Sequence, residues 1–236
     1  MMLEKCIILS FGLVPSLIWL LFYLRKDSHP ESNSMIIKIF LLGAVAGVLA
    51  FLLEKGMQKG ITLIGSFFAF SSLVIFFISG FIEEGMKWLV VKWGLSKTGE
   101  PDEPVDGMLY MIICALGFAA LENIAIAANT FVNYSIWQLS GILLMRFLLP
   151  TFLHALCSGV LGYFWVLAMQ KNRSFYGALG FVGVSLLHSS YNWFIMQTAG
   201  QKGKILLPVV ILIFLSLVVS YGFQHLKKIK NVCKIK

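Results

Sequence analysis

The chain has 236 residues, 58% of them hydrophobic and only 13% charged, against about 25% charged in a soluble domain. Twenty Phe and six Trp leave too little polar surface for a water-soluble core, so the solvent of most side chains is a bilayer. The net charge of +8 does not indicate nucleic acid: Lys227, Lys228, Lys230, Lys234 and Lys236 crowd the tail, and most other basic residues stand between apolar runs, a positive-inside signal and not a phosphate-binding face.

A spanning helix needs about 20 mostly apolar residues. Seven stretches qualify, roughly 6–24, 35–53, 70–94, 105–128, 142–169, 175–199 and 205–224. They predict an all-α, polytopic transmembrane bundle forming one integral membrane domain over 1–236. The first stretch lacks a small-residue cleavage site and is followed by Arg25 and Lys26, so it reads as a retained helix. The third lies in an apolar run from Ile61 to Leu95, too long for one simple span. Its early part, Ile61 to Ala69, is expected to be an interfacial or re-entrant lead-in. The connection KTGEPDEPVD, Lys97 to Asp106, is the clearest polar loop, broken by Pro101 and Pro104. The fifth stretch contains Pro150. No internal repeat is evident. Cys6, Cys114, Cys157 and Cys233 show no CxxC spacing and read as reduced packing residues.

Loop charges set the expected orientation. Arg25/Lys26, Lys92/Lys97, Lys171/Arg173 and the lysine tail all face the cytoplasm if the N-terminus is outside and the C-terminus inside. The uncharged segment Asn129 to Gln138 then falls outside, as do Lys55/Lys59 and Lys202/Lys204, against the rule.

Glu83, Glu84, Glu122, His154 and His188 lie within apolar sequence, whereas His29 and His225 are peripheral. An ionisable group at the bilayer centre costs at least about 2.5–3.5 kcal/mol, so these five are expected to turn inward and meet. In FIEEGMKW, Lys87 follows Glu83 by four and Glu84 by three, on one helix face. In GFAALEN, Glu122 is four residues after Phe118 and next to Asn123. His154 follows Pro150 by four, so the proline is expected to kink the helix near the site, and His188 and Asn192 are one turn apart. Counting from the span ends, all five fall between the midplane and the outer third, which predicts one cavity. The plainer readings are an interfacial charge cluster for Glu83, Glu84 and Lys87, and simple helix contacts for either histidine. Glu122 has no nearby cation in sequence; Arg146 reads as the outer end of the fifth span, with pairing to Glu122 as the alternative.

Such a set is chemically suited to Zn²⁺, with Glu84, Glu122, His154 and His188 as candidate ligands and a further glutamate as general base. A metal-free version has a buried glutamate activate water while His and Asn stabilise the oxyanion. Both hydrolyse an amide. There is no HExxH and no GxSG, although Ser158 is a nucleophile to test, and no Asp lies inside a span except Asp106 at an edge. A transporter or channel using the same Glu and His as a proton or cation relay is the competing reading; the inverted repeat that favours transport is not seen.

At these residues the sequence resembles a known family. EExxK at Glu83–Lys87, FxxxEN at Phe118–Asn123, His154 after Leu-Pro and HxxxN at His188–Asn192 look like the PrsW intramembrane proteases. They resemble more distantly the CAAX-prenyl protease and bacteriocin-immunity group, from which the chain departs in the position of the basic residue and in having Glu122 where that group has His. The N-terminal LVPSLIWLLFYLRKD is also similar to PrsW. The resemblance implies a bacterial plasma-membrane protease that makes the first, outer-side cut in a single-span anti-sigma factor. It carries over Glu83, Glu84 and His188 first as catalytic residues, then Glu122 and His154, with Asn123 and Asn192 in support.

Overall fold

The computed structural model describes residues 2–27, 29–64, 71–96, 98, 102–131, 136–197 and 205–229. Among these residues eight helices follow one another: α1 (Met2–Leu24), α2 (Asn33–Ile64), α3 (Ser71–Leu95), α4 (Pro104–Phe131), α5 (Ile136–Leu148), α6 (Pro150–Gln170), α7 (Ser174–Gln197) and α8 (Leu206–Leu226). Among the described residues there is no strand. Four segments are long and apolar enough to cross a bilayer: Asn33–Ile61, Pro104–Thr130, Trp137–Gln170 and Leu206–Leu226. The protein is therefore a helical membrane protein. Glu83, Glu84 and Lys87 lower the apolar character of α3, and His188, Asn192 and a run of Ser and Tyr do so in α7.

α4 is the buried axis. From Met108 to Leu116 its residues have no exposed surface. α1, α2 and α6 surround it, with α3, α5 and α8 touching its ends and edges. Lipid cannot drive apolar helices together, so close packing and polar contacts must. Glycines provide the packing: a Cβ on Gly43 would run into the Cys114 carbonyl, and one on Gly117 into the Phe40 carbonyl. These two reciprocal contacts bring the backbones of α2 and α4 together. Gly80 does the same for α3 against Ser185 and Ser189 of α7. The outward faces carry large apolar residues such as Ile37, Leu41, Leu52, Leu186, Phe214 and Leu217, which suit hydrocarbon.

Two departures from the sequence reading bear on the site. α2 does not stop near residue 53 but runs to Ile64, so Glu54, Lys55 and Lys59 are helical and Ile61–Ile64 ends this helix. The rest of the expected lead-in, 65–69, lies outside the described residues. The fifth stretch is not one helix: it breaks at Leu149 (φ −113°, ψ −84°), and α6 starts at Pro150. Proline lacks the N–H that would return to the Arg146 carbonyl, and its ring bars helical geometry for the residue before it. Trp19 of α1 seals the break, donating from Nε1 to the Phe147 carbonyl at 3.0 Å and stacking on Phe152 with centroids 4.2 Å apart.

Candidate active site

Four helices contribute to one buried polar cluster. α3 brings Glu83, Glu84 and Lys87 from its middle, α4 brings Glu122 and Asn123, α6 brings His154 from its second turn and α7 brings His188. Glu83, Glu84, Lys87, Asn123, His154 and His188 are all buried; the Glu122 side chain keeps 35% of its surface open.

Each histidine is held by a carboxylate. His188 donates from Nδ1–H to Glu84 Oε1 at 2.8 Å, and His154 donates from Nε2–H to Glu122 Oε2 at 3.0 Å. Those bonds fix the tautomers and leave one lone-pair nitrogen on each ring. Both nitrogens turn to the same atom: Glu83 Oε2 lies 3.6 Å from His188 Nε2 and 3.8 Å from His154 Nδ1. That oxygen is buried without a hydrogen-bond partner. The rings lie edge to face with centroids 5.0 Å apart.

Two cations balance the carboxylates. Lys87 Nζ donates to Glu84 Oε1 at 2.8 Å and to His154 Nδ1 at 2.9 Å, lies 3.8 Å from Glu83 Oε2 and sits over the Phe118 ring at 4.3 Å. Arg146 of α5 donates from Nη2 to Glu122 Oε2 at 3.1 Å and from Nε to Asn123 Oδ1 at 2.6 Å. Asn123 passes the chain on to Thr151 Oγ1 at 3.0 Å. Arg146 is thus the partner of Glu122 and not merely a helix-end marker. Ser158 donates to Glu84 Oε2 at 3.0 Å; it is paired with a carboxylate, and no histidine is bonded to its hydroxyl.

All five ionisable residues singled out in the sequence meet here, with Asn123 beside them. Asn192 is half-buried one turn beyond His188 and is not bonded into the cluster among the described residues. Sequence reasoning missed Thr151, Cys157 and Glu54. Thr151 stands three residues before His154, on its helix face, which was a usable signal. Cys157 is grouped with Glu84 and His188, with potential ligand atoms within 4.8 Å. Glu54 lies just past the second predicted stretch; on the extended α2 it is within electrostatic range of Glu83, Glu122, His188 and Lys87, with a buried, unpartnered Oε1.

The donors fit a metal of the zinc type. One ligand atom each from Glu83, His154 and His188 lies within 4.8 Å of the others. The separations through Glu83 Oε2 approach the ~3.3 Å edge of a tetrahedron with bonds of about 2.0–2.1 Å. The unpartnered Glu83 oxygen points to a missing partner. Glu84 and Glu122, expected as ligands, bond the far nitrogens of the two rings, and Glu84 also stands in a second candidate ligand group with Cys157 and His188.

The helical bundle with a buried cluster of Glu and His suited to a metal is of the kind a membrane-embedded hydrolase needs. The sequence matches the PrsW family intramembrane metalloprotease over residues 31–220, and the chain belongs to that family: it is a membrane-embedded endopeptidase. It is similar to the protein named Protease PrsW of Bacillus subtilis, with 30% identity over 229 residues, 95% of this chain and 96% of that protein. The protein of the same name in Oceanobacillus iheyensis is 30% identical over 214 residues, 88% and 91% of the two chains. That of Geobacillus kaustophilus is 31% identical over 193 residues, 80% of each. No solved structure matches the chain. Membership of a protease family sets aside the reading of the same residues as a transport relay.

Proposed function

We propose that the protein makes the first, outer-side cut in a single-span membrane protein of the anti-sigma-factor kind, using Glu83, Glu84, Glu122, His154 and His188 to activate water. The observation that carries this reading is the convergence of two carboxylate-held histidines on the unpartnered Glu83 oxygen. Zn²⁺ held by Glu83, His154 and His188 would supply a water of lowered pKa and polarise the scissile carbonyl. With such an ion bound, Lys87 would release His154 Nδ1 and keep Glu84.

The chain's own groups have distinct roles. Glu84 orients His188 and anchors Lys87. Glu122 orients His154 and, as the carboxylate of the set with open surface, takes the proton of the attacking water. Arg146 and Asn123 fix Glu122 in turn. Asn192, half-buried beside His188, supports the developing oxyanion. The seven crossings are α1, α2, α3, α4, α5 with α6, α7 and α8, in a bacterial plasma membrane with the N-terminus outside. Glu122 then lies roughly 25 Å along α4 from its cytoplasmic start, so substrate and water reach it from outside.

The test is cleavage of reconstituted single-span anti-sigma factors from a host genome, with and without a chelator, alongside metal analysis of the purified protein. Cleavage that a chelator abolishes and Zn²⁺ restores is expected. Cleavage that survives complete metal removal would leave Glu83 as a metal-free base, and no cleavage of any of them would sink the substrate assignment.

A further inference from the structure

α2 is a further helix that reaches the centre. Its Ala46 and Ala50 are buried against Phe118 of α4, with Ile82 and Met86 of α3 packed alongside. Glu54 follows at the same four-residue step, so it continues this face one turn beyond Ala50. Its neighbours Leu52 and Leu53 are exposed. Glu54 lies inside a segment apolar enough to cross a bilayer, Asn33–Ile61, where a carboxylate is costly and is kept where it has a partner or a use.

The groups that act on Glu54 electrostatically belong to the centre: Glu83 and Lys87 of α3, Glu122 of α4 and His188 of α7. The residue is half-buried, and its Oε1 is buried without a hydrogen-bond partner. Among the described residues it joins no group of donors close enough to share one ion, so it stands outside the ligands. The charges give it a use. Glu54, Glu83, Glu84 and Glu122 are four carboxylates, and the cations paired among them are Lys87 and Arg146. With neutral histidines, the ionised set carries a surplus equal and opposite to one divalent cation. Buried charge without compensation is strongly disfavoured, and without Glu54 the loaded centre would be left positive.

We propose that Glu54 is the fourth carboxylate of the centre, held outside the ligands, whose charge completes the compensation of a divalent ion on Glu83, His154 and His188. The inference rests on the metal-assisted form of the protease reading. Glu54 acts on the ion through space and through the groups around it, as a positioning residue. Outer groups of this kind typically change metal affinity about 10–100-fold.

The test measures the affinity of the purified, metal-free protein for Zn²⁺ alone, by competition with a chromophoric chelator in detergent. Glu54→Gln keeps the shape and removes the charge, and should weaken Zn²⁺ binding at least tenfold. Glu54→Asp restores the charge and should recover most of that loss. Lys55→Gln, a charge change on an exposed neighbour, should bind as wild type does. Without metal, Glu54→Gln should melt no lower than wild type, because it removes one of the surplus negative charges. Wild-type affinity in Glu54→Gln overturns the inference and leaves the metal reading intact. So does an equal loss in Glu54→Asp together with lower metal-free melting in both variants, which would make Glu54 a packing residue. A wild-type protein that binds no Zn²⁺ removes the metal reading and this inference with it.

Discussion

Glu83 and Glu84 are adjacent in sequence and opposite in situation. Glu84 is saturated, with His188 and Lys87 on one oxygen and Ser158 on the other, whereas Glu83 keeps a buried oxygen free. Glutamine in place of Glu84 keeps one acceptor oxygen but no charge, so it holds His188 and Lys87 more weakly. Removing such an outer partner typically costs about 10–100-fold, and Glu84→Gln is expected to lose that much cleavage while still accumulating in the membrane. Glu83→Gln should fall below detection. Rates at matched protein levels check both, and near-normal activity in the pair would move the centre elsewhere. Ser158→Ala discriminates a different chemistry. It removes one hydrogen bond to a carboxylate, worth about 1.5–3 kcal/mol of stability, and no reacting group, so measurable activity should remain; complete loss in folded protein would make the hydroxyl a nucleophile and end the water mechanism.

The contact between α2 and α4 makes predictions at the level of the helix. Gly117→Val drives a branched side chain into the Phe40 carbonyl, and we expect little folded protein to accumulate. Gly56 has open space around it, so Gly56→Ala should be neutral or stabilising by about 0.5–1 kcal/mol. Equal yields from the two would mean the helices do not approach this closely. The connection between α1 and α2 has a pH dependence of its own. Glu31, which accepts from the Tyr110 hydroxyl at 2.5 Å, has its carboxyl pushed up, first by burial and then by the charges of Asp27 and Asp102, with Tyr110 and Asp106 pulling the other way. Its folded form prefers the proton, so its contribution to stability is complete below the ordinary value of about 4.3 and is lost as pH rises through the higher folded value. Thermal melts of wild type should fall across that range, and Glu31→Gln should flatten the fall; parallel curves would show that Glu31 does not titrate there. What the sequence made legible at this scale was helix existence, because apolar runs are unambiguous. Helix ends were less legible. Lys55 and Lys59 looked like a loop but can snorkel from a long helix, and the break at Leu149 needed Trp19, distant in sequence, to make it tolerable.

For the whole molecule, the decisive signal was joint occurrence. Glu83, Glu84, Glu122, His154 and His188 are individually ambiguous, and only their common depth on separate helices forecast a single centre. The division of labour among the carboxylates was not legible, because it depends on which ring nitrogen each oxygen meets. The pairing of Arg146 with Glu122 was legible only as an alternative, since it arises from helices packed across the bundle. Topology can be tested directly with single cysteines in a background lacking Cys6 and Cys233. Asn172→Cys, in the turn between α6 and α7, should stay protected from an impermeant reagent in intact cells. Asn133→Cys, outside the described residues, should react. The reverse pattern inverts the protein.

Lys87 also bears on how the chain enters the membrane. Synthesis delivers α3 before α4, α6 and α7 exist, so at that moment Glu83 and Glu84 can find neither histidine. The lysine one turn away on their own helix is the counter-charge already at hand, and it softens a cost of about 2.5–3.5 kcal/mol for each charged residue. Biogenesis and chemistry would then depend on the same side chain at different times. Lys87→Ala should therefore fail first as an insertion defect, visible as α3 left accessible to protease on one side of the membrane. Lys87→Arg should insert normally even if its bulk impairs cleavage, and normal insertion of the alanine variant would confine Lys87 to the finished fold.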